Sequence, residues 1–146
     1  MHISKKCLVI LSCFTLSLFI ISCDDNAELR DEYNALFTKV IAVHDELMPK
    51  MTELSQLQEQ LKREDSTTLK NDKKEALNSL KESDERMMIW MHDFTDEYVK
   101  NRIPVAKMTV AELQKAIKGL KAELHEVESL RDYTHTSIEA ARQVLK

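Results

Sequence analysis

Apolar residues between about residues 27 and 63 recur at alternating spacings of four and three, the period of one face of an α-helix. The positions on this face are Tyr33, Phe37, Val40, His44, Leu47, Met51 and Leu54, continued by Leu57 and Leu61. The pattern predicts a first helix from about Ala27 to about Arg63. Pro49 lies inside it and has no N–H to donate, which predicts either a kink or a break at which Pro49 opens a second helix.

The same period returns in two later segments. A second helix is predicted from about Leu69 to about Lys100, and its core-facing positions are Leu77, Leu80, Met87, Met91, Phe94 and Tyr98, with Asp84 as a polar exception. A third is predicted from a capping box of Thr109 and Glu112 to about Leu145. Its core-facing positions are Val110, Leu113, Ile117, Leu120, Leu124, Val127, Thr134, Ile138, Ala141 and Leu145, with Arg131 as the exception.

Short connections separate the three predicted helices. The first spans residues 64–68, where Asp65, Ser66 and Thr67 are candidate helix caps. The second spans residues 101–108 and contains Pro104. The whole chain has only one Gly and two Pro, so it offers little other turn material. Helices joined by short loops are antiparallel neighbours, which predicts an all-α, elongated three-helix bundle, up-down-up and coiled-coil-like, over residues 27–146.

The first 22 residues read as a secretory signal peptide. Lys5 and Lys6 precede an apolar stretch that ends in Ser22-Cys23, and acidic residues follow at once. This ending is typical of a lipobox, in which Cys23 receives a diacylglyceryl group and the new N-terminus is acylated, commonly with palmitate. Residues 23–26 would form the lipidated tether. Two or more acyl chains hold a protein stably, so we expect a lipid-anchored protein of the cell envelope, on the inner or the outer membrane.

Charge and cysteine content narrow the function. The chain has 21 Lys and Arg against 25 Asp and Glu, and loss of Lys5 and Lys6 with the signal would leave a net charge of −6. Both signs are mixed along the sequence, which argues against a nucleic-acid partner. After lipidation of Cys23 the mature domain would have no thiol. No phosphate loop or nucleophile motif is present, so we expect a protein that is not an enzyme.

Five of the seven methionines lie in two short segments of the first two helices. His44, Met48 and Met51 share one face of the first helix, and the second contributes Met87, Met88, Met91 and His92. If the first turn centres near residues 66–67, residue 44 lies level with about residue 89. The only Trp, Trp90, falls at this height, together with Pro49 and, across the second turn, the only Gly, Gly119, whose small size would leave room for Trp90.

Two interpretations of this methionine layer stay open. In the first, the methionines fill the core, and His44 is a core histidine bonded to Asp84 or Tyr98. In the second, imidazole and thioether groups bind Cu(I), which prefers such soft ligands, and the indole of Trp90 adds cation–π attraction. The candidate ligands are His44, Met48, Met51, Met87, Met88, Met91 and His92.

The segments from His44 to Met51 and from Met87 to Phe94 resemble a family of small bacterial envelope lipoproteins often labelled "viral A-type inclusion protein". The label reflects coiled-coil similarity and implies nothing viral. The resemblance covers the signal and the first two helices, and it implies an envelope lipoprotein with a helical bundle but no activity. We therefore expect a membrane-anchored helical scaffold or protein-interaction module with a protein partner in the envelope and no cofactor. The alternative is a periplasmic Cu(I)-binding protein.

Overall fold

Residues 25–63, 70–100 and 102–146 are described in a computed structural model of the chain. These residues form three α-helices and no strand: α1 (Asp25–Arg63), α2 (Asn71–Thr95) and α3 (Val110–Val144). The 39 residues of α1 make a rod of about 58 Å at 1.5 Å per residue. The predictions for the signal peptide, for Cys23 and for the caps at Asp65, Ser66 and Thr67 lie outside the described residues.

The three helices pack as an up-down-up bundle. Ion pairs Glu32–Lys121 and Glu53–Arg142 show that α1 and α3 run in the same direction. α2 runs the opposite way, because Phe37 contacts Phe94 while His44, later in α1, contacts the earlier Trp90. The predicted all-α three-helix bundle is confirmed.

The helix ends refine the predicted boundaries. α1 begins at Asp25, inside the segment predicted as a tether, so little chain separates the bundle from Cys23. α2 ends at Thr95 and is continued by a π-helical turn, Asp96–Lys100, and the connection to α3 contains a 3-10 turn, Val105–Lys107. None of the helices in the described ranges is long and apolar enough to cross a membrane.

The predicted capping box at the start of α3 is confirmed. The backbone N–H of Glu112 donates to Thr109 Oγ1 over 3.3 Å, and the N–H of Thr109 donates to Glu112 Oε2 over 2.8 Å. The backbone N–H of Thr109, and after it the Thr109 hydroxyl, donate to the Glu112 carboxylate and hold its pKa below the ordinary value, because they stabilise the charged form.

α1 is continuous through Pro49, so the alternative of a helix break is wrong. Leu47 and Leu54 are fully buried on either side of the proline. Packing of these side chains against the other helices holds both halves of α1 in one rod, although the carbonyl of Asp45 loses its helical partner.

The buried apolar side chains of the described residues form two clusters. The proximal cluster lies in the half of the bundle where α1 begins, and it consists of Tyr33, Leu36, Val40, Leu47, Met87, Trp90, Phe94, Tyr98, Leu113, Ile117, Leu120, Val127 and Leu130. The distal cluster lies toward the other end and consists of Leu54, Leu57, Leu61, Ala76, Leu77, Leu80, Ile138 and Ala141. Most of these positions were predicted from the helical period.

A buried polar pair lies at the border of the two clusters. Ser83 Oγ and Thr134 Oγ1 are 2.6 Å apart, and both side chains are fully buried. Thr134 also donates to the carbonyl of Leu130. The predicted exceptions, Asp84 and Arg131, are only half-buried, because Ser83 and Leu130, one residue earlier on each helix, occupy the core instead.

Candidate functional site

The predicted contact between the first two helices at the height of His44 is confirmed. The ring centroids of His44 and Trp90 are 5.9 Å apart, with an interplanar angle of 31°. Residue 44 was expected level with about residue 89, and the observed partner differs by one position. The histidine and the tryptophan therefore mark a common level of α1 and α2.

Trp90 begins a row of rings along the buried face of α2. Its ring stacks on Phe94 at 5.1 Å, and Phe94 stacks on Tyr98 at the same distance. The spacing of four residues places these side chains on one helix face. The buried indole keeps its polar atom satisfied, because Nε1 donates to Glu123 Oε2 of α3 over 3.0 Å. The position of Trp90 is thus fixed by contacts with all three helices.

As a core histidine, His44 was predicted to bond to Asp84 or Tyr98. The structure pairs it with Asp45 instead. The His44 side chain is 24% exposed, and Nδ1 lies 3.0 Å from Oδ1 of the adjacent Asp45. His44 holds a core-facing position on α1, but its imidazole lies at the edge of the core rather than inside it. At this edge the carboxylate of Asp45 can reach the ring. With a proton on Nδ1 donated to Asp45, Nε2 carries the free lone pair and is available to a ligand.

The five methionines differ strongly in burial. Met87 is only 1% exposed and belongs to the proximal cluster, against which Met51 and Met91 pack with partial burial. Met48 is 39% exposed and Met88 is 61% exposed. The core-packing interpretation accounts for Met51, Met87 and Met91. It accounts less well for Met48 and Met88, because the exposed part of an apolar side chain gains nothing from packing.

Helical phase places Met88 on the flank of α2 away from α3. Arg86 lies over the ring of Tyr133 in α3, at 4.9 Å from its centroid. Two residues later in a helix correspond to a rotation of about 200°, so Met88 lies on the other side of α2 from Arg86. Leu77 lies about three turns earlier on the same flank of α2 and is buried in the distal cluster with leucines of α1, so this flank lies toward α1.

The same reasoning applies to α1. Lys50 lies beside His135 and Arg142 of α3. Met48, two residues earlier, therefore lies on the opposite flank of α1, one turn from His44. From these helical phases we infer that four side chains lie along the outer groove between α1 and α2, which we name the methionine groove: His44, Met48, Met88 and Met91.

The other predicted ligands are placed differently. Met87 is enclosed in the core, and Met51 packs against both clusters. His92 has a 69% exposed side chain whose two nitrogens both face carboxylates, at 3.0 Å from Asp93 and 3.7 Å from Asp96. Pro49 is exposed beside Met48.

The expectation that Gly119 leaves room for Trp90 is wrong, because the neighbour of Gly119 is Tyr98. A Cβ built on Gly119 would overlap the hydroxyl oxygen of Tyr98 and lie 3.4 Å from its Cζ. Trp90 meets Glu123 instead, four residues later on α3. The register between α2 and α3 therefore differs from the expected one by about one turn, because α3 begins only after the 3-10 turn and the extended Met108.

Sequence reasoning missed an open acidic cleft of about 530 Å³ beside Trp90, lined by Asp93, Asp96, Glu97, Glu123 and Glu126. Burial raises the pKa of the Glu123 carboxyl, and the charge of Glu126 adds to this, while the hydrogen bond from Trp90 opposes it. Burial likewise raises the pKa of the nearby Tyr98 to about 12. The sequence does contain these acidic residues, on or just after α2 and on α3. Their proximity could not be predicted because it depends on the register between the two helices, which the sequence did not fix.

No group of three or more His, Cys, Asp or Glu side chains comes together to hold a metal ion within the ranges 25–63, 70–100 and 102–146. Zinc and hard cations depend on such ligands. A copper site of the predicted kind would use one imidazole and several thioethers, so this finding does not bear on it.

Comparisons of the chain with protein-family models, with curated proteins and with solved structures found no match. The resemblance to small envelope lipoproteins accordingly stays a prediction.

Proposed function

We propose that the chain is a non-enzymatic lipoprotein of the cell envelope, anchored through lipid on Cys23, whose helical bundle serves as a scaffold or protein-interaction module. The start of α1 supports this proposal. Asp25 is already helical, and it follows Cys23 by two residues. At no more than about 3.5 Å per residue, a lipid on Cys23 would hold the backbone at Asp25 within about 7 Å of the backbone at its attachment residue.

The observation that carries the proposal is the surface at this same end. Val99, Ile103 and Val110 are exposed, although large apolar side chains at a protein surface lose free energy in water. Val99 and Ile103 lie on the connection between α2 and α3, and Val110 is the first residue of α3. This connection packs beside the start of α1, since Arg102 lies over the ring of Phe37 at 4.6 Å. An apolar edge next to a lipid anchor can enter the interfacial region of a bilayer.

Basic side chains accompany the apolar edge. Lys100, Arg102 and Lys107 are exposed on the same connection. Their aliphatic stems can lie along the apolar surface while the charged ends reach the headgroups. The proximal end would then rest on the membrane, and the distal end would stand about 58 Å away if α1 is upright, given its length. Such a rod can present a protein partner with a surface at a fixed distance from the bilayer.

Lipid attachment tests the anchor directly. The full chain is expressed in a bacterium with labelled palmitate, next to a Cys23→Ser variant. We expect label and membrane association for the parent and neither for the variant. An unlabelled parent protein in the soluble fraction would show that the lipoprotein proposal is wrong.

Spin labels test the orientation of the anchored bundle. Ile103→Cys and, as a matched control at the distal end, Gln60→Cys each receive a nitroxide in the lipidated protein on phospholipid vesicles. We expect bilayer-dissolved oxygen to relax the label at position 103 and not the label at position 60. Equal relaxation at both positions would contradict an apolar edge that rests on the membrane.

A further inference from the structure

We propose that the methionine groove binds one Cu(I) ion through His44 Nε2 and the thioether sulfurs of Met48, Met88 and Met91, beside the indole of Trp90. This proposal does not depend on the lipid anchor. It narrows the seven candidate ligands of the sequence to four, on the burial and placement of each side chain.

The four residues lie at similar positions along the axis of the bundle. The contact of His44 with Trp90 sets a common level. Because α1 and α2 are antiparallel, Met48 lies about 6 Å above this level and Met88 about 3 Å above it, at 1.5 Å per residue. Met91 lies within about 2 Å of the level. Side chains in a helix lean toward its N-terminus, so Met48 and His44 lean down from α1 while Met88 and Met91 lean up from α2. The long, flexible methionine side chains span the separation that remains.

The side chains can also adjust to an ion. Methionine is unbranched and has three rotatable side-chain bonds, so its sulfur can move by several ångströms at little cost. Met88 is 61% exposed and Met48 39% exposed, so little packing has to be broken for them to turn into the groove. Met91 is half-buried and supplies the fixed wall.

The state of His44 suits a ligand. Asp45 lies 3.0 Å from Nδ1, which leaves Nε2 as the free nitrogen. A metal-binding histidine characteristically donates its other N–H to a carboxylate in this way, which fixes the ring and raises its basicity. The carboxylate also contributes negative charge close to a bound cation.

The donor set selects the ion. Thioethers and one imidazole favour Cu(I) over the hard divalent cations, which prefer oxygen ligands. The adjacent indole face adds cation–π attraction, which is strongest for tryptophan among the aromatic side chains. Two exposed methionines on adjacent helices, next to an imidazole with a free nitrogen, thus have a common explanation that core packing does not provide.

The test is a competition titration of the full chain in detergent micelles. Cu(I) is added anaerobically in the presence of a chromogenic Cu(I) chelator, and the emission of Trp90, the only tryptophan, is recorded at the same time. We expect the protein to withdraw one equivalent of Cu(I) from the chelator, with quenching of Trp90. A protein that leaves the chelator fully loaded would overturn the proposal.

Two variants separate this site from adventitious binding. The Met48→Ala, Met88→Ala double variant changes only exposed side chains, so it keeps the fold, and we expect its Cu(I) affinity to fall more than about 100-fold, beyond the effect of losing a supporting partner. Ile89→Ala is the matched control, because Ile89 lies next to Met88, has a similar exposure of 54% against 61%, and carries no sulfur. The Cu(I) affinity of this variant should equal that of the parent. Unchanged binding by the double variant, or an equal loss in the control, would show that the groove is not the site.

The supporting role of Asp45 has its own readout. Asp45→Asn keeps all four proposed ligands, and we expect its Cu(I) affinity to fall about 10-fold. The copper X-ray absorption spectrum should still show one nitrogen and several sulfur neighbours. A spectrum with oxygen or nitrogen ligands alone would contradict the thioether site in parent and variant alike.

Discussion

The proximal and distal halves of the bundle are built from different side chains. The distal cluster contains only Leu, Ile and Ala, and no ring. The proximal cluster contains the stacked row of Trp90, Phe94 and Tyr98, and the methionine groove borders it. Leucines at helical spacing are sufficient to close a bundle. The departures from that simple pattern are concentrated in the proximal half, and such departures are typical of functional sites.

Truncation of Trp90 should have the largest effect on stability. Trp90→Ala removes a ring that contacts α1 and stacks on Phe94, and it leaves Glu123 without its donor. We expect a loss of about 4 kcal/mol in the free energy of unfolding, against about 3 kcal/mol for Leu54→Ala in the distal cluster. Urea denaturation followed by far-ultraviolet circular dichroism measures both. A loss smaller for Trp90→Ala than for Leu54→Ala would show that the aromatic row contributes little beyond ordinary packing.

The polar pair between the two halves should have the next largest effect. Thr134→Val keeps the shape of the side chain but leaves the buried hydroxyl of Ser83 without its partner. We expect a cost of about 1–3 kcal/mol, because an unsatisfied buried polar group loses its hydration without compensation.

A double variant provides the control for this pair. Ser83→Ala together with Thr134→Val removes both hydroxyls, and we expect it to cost less than Thr134→Val alone. Chemical denaturation of the two single variants and the double variant completes the cycle. Additive losses would mean that the two hydroxyls act independently, although they lie 2.6 Å apart.

The helical period predicted the fold because a helix with one buried face has an apolar residue on that face in nearly every turn. Tyr33, Leu47 and Leu54 lie in the core as predicted. The helical period does not decide which of two adjacent residues is buried at the edge of a seam, that is, of the line of core-facing positions along a helix. Ser83 is buried although Asp84 was the predicted seam residue, and the small hydroxyl fits the core at a lower desolvation cost than a carboxylate.

The candidate site could be predicted only in part. The level of His44 with Trp90 followed from the length of the first turn. The partner of Gly119 did not, because the non-helical residues before Val110 shift the register of α3 by about one turn. The exposure of Met48 and Met88 also required the structure, since it depends on which flank of each helix faces α3.

Gly119→Ala tests how tightly the aromatic row fits against α3. Alanine favours a helix over glycine by about 1 kcal/mol, but its Cβ would overlap the Tyr98 hydroxyl. We expect Gly119→Ala to lower the stability by about 1–2 kcal/mol, because the overpacked Tyr98 ring must move. In a Tyr98→Phe background the hydroxyl is gone, and the same change should raise the stability by up to about 1 kcal/mol. The sign reversal is measured by thermal unfolding, and a stabilising effect in both backgrounds would mean that Tyr98 yields freely.

A change at Glu123 should have the smallest effect on stability. Because Glu123 accepts a hydrogen bond from Trp90, its titration makes the stability around the row of rings depend on pH. Burial raises the pKa of its carboxyl above the ordinary value, so the folded protein binds this proton more tightly than the unfolded chain does. Stability from this group therefore increases as the pH falls through the raised pKa, and it is lost as the pH rises. Glu123→Gln keeps a carbonyl acceptor for Trp90 without the charge.

We expect Glu123→Gln to be more stable than the parent by about 0.5 kcal/mol at pH 7, a small value because the carboxyl is partly open to solvent. The difference should disappear at a pH below the ordinary carboxyl pKa, where both side chains are neutral. Glu75→Gln, an exposed residue of the distal half, is the matched control and should show no such difference. Denaturation curves over the acid range measure all three proteins. A gain that persisted at low pH would have to come from better packing of the amide against Trp90, and the acids around the cleft would then play no part in the stability of the proximal half.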